Sequence, residues 1–177
     1  YRYQNVNEPS GSGFNYRSYI NDDYFVIEPD IHYEIGNPGI SASNSVNSIL
    51  DELLNFYPID PNRLGILGHS FGGFRIKDGL FEKPELYIAN SPIFHSDKIE
   101  TPLLIWSGKK DFHVNWSQSV SMFLALKRQN KVVNLLLYPD EAHILSNFEN
   151  KVDATTKVKQ WFDFYLKDNQ KPKWLTE

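Results

Sequence analysis

Ser70, Asp111 and His143 are residues whose types, order and surroundings suit one kind of chemistry, attack by an activated hydroxyl. A serine hydroxyl is a poor nucleophile until a base takes its proton, and an acid that orients the base completes the set. Ser70 stands in Gly68-His69-Ser70-Phe71-Gly72-Gly73, directly after the apolar run Leu64-Gly65-Ile66-Leu67. A short strand feeding G-x-S-x-G reads as a nucleophile elbow, a strained turn in which Gly68 and Gly72 avoid the collisions a Cβ would make. Such a turn lifts Ser70 Oγ clear and leaves the Phe71 N–H free to donate to an oxyanion. The plainer alternative is a glycine-rich turn at a strand end.

Asp111 follows the run Leu103-Leu104-Ile105-Trp106, and His143 follows Val132 to Tyr138 within Asp140-Glu141-Ala142-His143. All three residues therefore fall just beyond the carboxyl ends of strands, where a parallel sheet gathers them at one edge. The order Ser, Asp, His is that of a hydrolase triad. In those roles His143 takes the Ser70 proton, and Asp111 accepts the other imidazole N–H. Each residue has a plainer reading. Asp111 is a candidate cap for the following helix, although Asn115 is better placed, and Asp97 is a rival acid with no strand before it. His113 shares Asp111's loop, His32 and His95 lie in polar loops, and His69 is read as supporting the turn. No two histidines sit at helical ligand spacing with a carboxylate nearby, so no metal is expected, and the triad needs no cofactor.

The elements that must position these residues follow from periodicity. Residues 1–20 read as polar surface loop, and Tyr24 to Ile27 as a short buried strand closed by Pro29. Ser41 or Ser43 is expected to cap a helix carrying Val46, Ile49, Leu50, Leu53 and Tyr57 at three-and-four spacing, ended by Pro58. Strands are predicted at 64–67, 103–106 and 132–138, and helices at about 116–129 and 152–167. This alternation predicts an α/β fold, a mostly parallel sheet with helices on both faces. With the elbow it becomes an α/β-hydrolase fold, but an incomplete one. Residues 74–102 carry neither a helical stripe nor a strand-like run, where an elbow demands a helix and a crossover. The chain is therefore expected to be a partial catalytic domain over 1–177, with a break or deletion between Gly73 and Gly79.

Bulk properties narrow the classes. A length of 177 residues fits one domain, and 41% hydrophobic with 23% charged residues is ordinary for a globular protein. A net charge of −4 argues against a nucleic-acid footprint, since Lys127-Arg128 and the Lys171/Lys173 pair make no basic stripe. No stretch is apolar over the ~20 residues needed to span a bilayer. The absence of cysteine excludes disulfides, thiolate metal sites and a cysteine nucleophile, but does not place the protein in a compartment. The chain opens at Tyr1 without Met, which reads as part of something longer, so both exported and cytoplasmic locations stay open.

With these residues in hand, the chain resembles the catalytic domain of the prolyl oligopeptidase family of serine peptidases. The resemblance rests on Ile59 through Gly73, Ser91-Pro92, Lys98 through Ile105, Gly108 to Val114 and Asp140 to His143, with Phe25 to Ile31 and Tyr33 to Gly39 upstream. It implies cleavage of short peptides through an acyl-enzyme, behind a β-propeller in the full-length protein. It also implies an oxyanion tyrosine upstream, for which Tyr1 and Tyr3 are the candidates, and aromatic residues near the substrate pocket at Phe71 and Phe74. The chain departs from the family in three ways. It holds no propeller, Ala142 precedes the histidine, and the interval from Ser70 to Asp111 is short. An esterase or other acyl hydrolase, or a non-catalytic binding domain on the same scaffold, stand as alternatives.

Overall fold

Residues 103–166 form the strand–helix–strand–helix run that their periodicity predicts, although the last helix begins at Phe148 rather than near 152. In the computed structural model, which describes residues 5–70 and 84–175, strand β1 (Leu103–Gly108) runs into helix α4 (Ser117–Arg128), then strand β2 (Val133–Tyr138) and helix α5 (Phe148–Leu166). β1 and β2 pair in parallel, with Leu103 opposite Val133 and Gly108 opposite Tyr138. Alternate residues of a strand share a face, so Trp106, Leu136 and Tyr138 point the same way, and they meet Ala154 of α5 and Leu145 in the core. The crossover helix α4 packs against both strands and buries Leu126 completely.

The chain divides into two compact units, one of Tyr1–Val26 with Ile99–Glu177 and the other of Ile27–Lys98. In the first, the polar N-terminal stretch is not the surface loop its composition suggests. Residues 16–20 form helix α1 (Tyr16–Ile20), capped by Asn15, whose side chain accepts from Arg17 N and donates to Asn5 O and Glu8 O. Tyr19 is buried against Phe162, and the Tyr24 hydroxyl donates to Asp163 at 2.8 Å. Aromatic rings on a polar stretch thus supply the apolar area that lets it dock on α5.

In the second unit, helix α2 (Pro38–Phe56) begins before the expected serine caps, with Pro38 in the first turn. Ser41 lies inside the helix, its hydroxyl donating to Asn37 O at 2.9 Å. Helix α3 (Pro84–Asn90) and a 3-10 turn (Pro92–Lys98) occupy part of the span that showed no periodicity. Asn90 ties α3 to the start of α2 through Gly39 N and Gly36 O.

Two expected strands do not form. Residues 24–27 and 64–67 belong to no strand, and Phe25 and Ile66 are 68% and 78% exposed. An apolar run becomes a strand only when a neighbouring edge pairs with it, and among the described residues the sheet consists of β1 and β2. The expected break between Gly73 and Gly79 lies outside the described residues. No described helix is long and apolar enough to cross a membrane.

Candidate active site

The loops after β1 and β2 are sewn together by main-chain hydrogen bonds. Lys109 N donates to Tyr138 O at 3.0 Å and Lys110 N to Glu141 O at 2.8 Å, while within the first loop Asp111 N donates to Gly108 O at 3.2 Å. The approach at Gly108 is close enough that a Cβ there would collide with the Glu141 and Ala142 carbonyl oxygens. Glycine is therefore what allows the two loops to touch.

This contact brings Asp111 and His143 together. Asp111 Oδ2 lies 2.8 Å from His143 Nδ1, with the two side chains 7% and 20% exposed. A carboxylate only accepts, so Nδ1 carries the proton and the imidazole tautomer is fixed. The other carboxylate oxygen accepts from His113 N at 2.8 Å and Val114 N at 2.9 Å, so the acid is held from both sides. Burial pushes the Asp111 pKa up, but the bonds from Val114, His143 and His113 outweigh it and hold the carboxyl below its ordinary value. Asp111 does not cap α4, because Asn115 accepts from Ser117 N at 2.9 Å instead. The Lys110–Asp140 pair on the rim is exposed and adds little.

Ser70 belongs to the other unit, Ile27–Lys98. It is exposed, it follows no strand, and its φ of 51° places a non-glycine residue in the left-handed region. Gly68 departs from expectation, with open space around its Cβ direction among the described residues. Of the remaining candidates, His113 turns its ring edge-on to His143 with centroids 5.3 Å apart, a contact its position in Asp111's loop did not signal. His95 approaches Ala89 O at 3.2 Å within the 3-10 turn that also carries Asp97, and His32 is exposed. The candidate oxyanion and pocket residues Tyr1, Tyr3, Phe71 and Phe74 lie outside the described residues. No group of three His, Cys, Asp or Glu able to hold a metal occurs among the described residues.

Two residues of the site carry no role assigned from the sequence. Gly108 ends β1 and permits the loop contact, and Glu141 is a carboxylate buried to 1% exposure two positions before His143. The signal for Glu141 was an acid followed at five, six and nine positions by Ser146, Asn147 and Asn150, the opening of a helix.

A family model described as the prolyl oligopeptidase family matches residues 78–169, just over half of the chain. The chain belongs to the prolyl oligopeptidase family. Its fold is accordingly that of an incomplete α/β-hydrolase. Among curated relatives, an uncharacterized peptidase of Bacillus subtilis, YuxL, is 26% identical over 175 residues, covering 74% of this chain and 27% of its own length. Dipeptidyl-peptidase 5 of Porphyromonas endodontalis is 27% identical over 209 residues, covering 87% of this chain and 30% of its own. The apo AtxE2 isopeptidase superposes with a TM-score of 0.60 at 20% identity, over 79% of this chain and 27% of that one, a likeness of fold. The chain thus spans less than a third of the length of the relatives it matches.

Proposed function

We propose that this chain carries the catalytic triad of a serine peptidase that hydrolyses short peptides, with Ser70 as nucleophile, His143 as base and Asp111 as the acid that orients it. The observation that carries the reading is the 2.8 Å contact between Asp111 Oδ2 and His143 Nδ1, with the carboxylate clamped on its far side. The strained φ of Ser70 supports the nucleophile, and membership of the family supports the peptide substrate. His143 Nε2 takes the hydroxyl proton as Ser70 Oγ attacks the peptide carbonyl, and the resulting oxyanion is met by the Phe71 N–H. The C–N bond then breaks, the amine leaves with the proton from His143, and water resolves the acyl-enzyme by the same route in reverse.

The same reading treats 1–177 as a partial catalytic domain lacking residues near Gly73 to Gly79, and β-propeller shielding as a property of a longer protein. The match to dipeptidyl-peptidase 5 spans 209 positions, while 87% of 177 residues is about 154, so that relative carries residues within the matched span that this chain lacks.

A fluorophosphonate probe tests the triad. The chain is expected to be labelled, the Ser70→Ala variant to be blank, and Asp111→Asn to lose on the order of 10⁴ in acylation rate through the wrong imidazole tautomer. Labelling that is absent, or that persists in Ser70→Ala, overturns the assignment. A panel of peptide and ester substrates then reads the preference, and ester turnover without peptide turnover would replace the peptidase with an esterase.

A further inference from the structure

Glu141 is a buried carboxylate for which the triad has no use. Oε2 accepts from Ser146 N at 2.7 Å and from Ser146 Oγ at 3.1 Å. Oε1 accepts from Asn147 N at 3.0 Å and from Asn150 Nδ2 at 2.8 Å. Its main-chain carbonyl accepts from Lys110 N and lies against Gly108. One residue therefore holds three pieces of chain: the loop that carries Asp111, the loop that carries His143, and the first turn of α5.

The geometry closes a small ring. The Glu141 side chain reaches forward to Ser146, so residues 142–145 are spanned, with His143 inside the span. Leu145 fixes the far side, buried to 1% exposure with its N–H donating to Gly11 O at 2.9 Å. Ala142 and Ile144 point outward and are exposed, while the imidazole between them turns to Asp111. Burial raises the Glu141 pKa, and the four bonds from Asn150, Ser146 and Asn147 outweigh it, so the carboxyl sits below its ordinary value and stays charged at neutral pH. Removing this acceptor would strand two main-chain N–H groups beside the histidine loop.

We propose that Glu141 is a positioning residue for His143, closing the 141–146 loop so that the imidazole is held against Asp111. This rests on the reading of His143 as the base, but it concerns the Asp111–His143 contact alone and is testable without Ser70.

The test is hydrogen exchange of the His143 Nδ1 proton, followed by NMR in the histidine-labelled chain. The wild type is expected to show a slowly exchanging Nδ1–H that Asp111→Asn abolishes. Glu141→Gln is expected to speed its exchange about tenfold or more, as loss of a charged acceptor implies. Asn150→Ala, which removes a single bond, is expected to do so by a smaller factor, both at temperatures where circular dichroism shows folded protein. Should Glu141→Gln not fold, Asn150→Ala decides alone. A variant with a lower Tm and an unchanged Nδ1–H exchange rate would reduce Glu141 to a stabiliser of the fold and overturn the proposal. A signal indifferent to Asp111→Asn would also overturn it, by removing the contact. A chain that passes this test but fails fluorophosphonate labelling keeps the Glu141 role and loses the triad.

Discussion

Gly108 is the residue on which the meeting of Asp111 and His143 turns. A Cβ at that position would press on the Glu141 and Ala142 carbonyl oxygens, main-chain atoms that move only with their whole loop. Gly108→Ala is expected to destabilise the fold by about 1–3 kcal/mol, the range for overpacking. It is also expected to weaken the Lys110 N–Glu141 O bond that aligns the two loops. Chemical denaturation reads the first effect, and amide exchange at Lys110 reads the second. A substitution that leaves both unchanged would show that the loops can separate without harm.

At the scale of elements, the Asp111–His143 contact depends on how α5 begins. Asn147 caps it by accepting from Glu149 N at 2.8 Å and Asn150 N at 3.2 Å, with Glu149 in the first turn and the Glu141 carboxylate just beyond. Negative groups at a helix N-terminus are favoured by the helix dipole, and they satisfy donors that have no partner within the helix. Asn147→Ala is expected to lower stability by about 1 kcal/mol, seen as a lower urea midpoint at constant slope. The βαβ unit itself is less sensitive to single polar changes, because Leu126 and Val133 bury its apolar faces almost completely.

For the whole molecule, pH acts through the same buried acids. Asp111 and Glu141 titrate below their ordinary values of 3.8 and 4.5 in the folded chain. The unfolded chain therefore binds protons first as the pH falls. Their stabilisation is complete above those values and fades as the pH drops through the lower folded-state range. Tm is expected to hold from neutrality to about pH 5 and then to decline, and Glu141→Gln should flatten that decline. A wild-type Tm that is constant down to pH 3 would contradict the argument.

The sequence by itself determined the order of Ser70, Asp111 and His143 and the β1–α4–β2–α5 run. These depend on local periodicity and on loops of a few residues, which each segment carries within itself. The boundaries of α4 and β2 came within one residue or so of their patterns. Tertiary structure decided what depends on a neighbour. Residues 24–27 and 64–67 have strand-like composition but form no strand, because a ladder needs a second edge and composition cannot supply one. The polar stretch at 16–20 became a helix because α5 offered Tyr19 a place to bury. The sequence assigns Glu141, two positions from a histidine, no role of its own. Its burial and the bonds of its carboxylate to Ser146, Asn147 and Asn150 exist only in the folded chain.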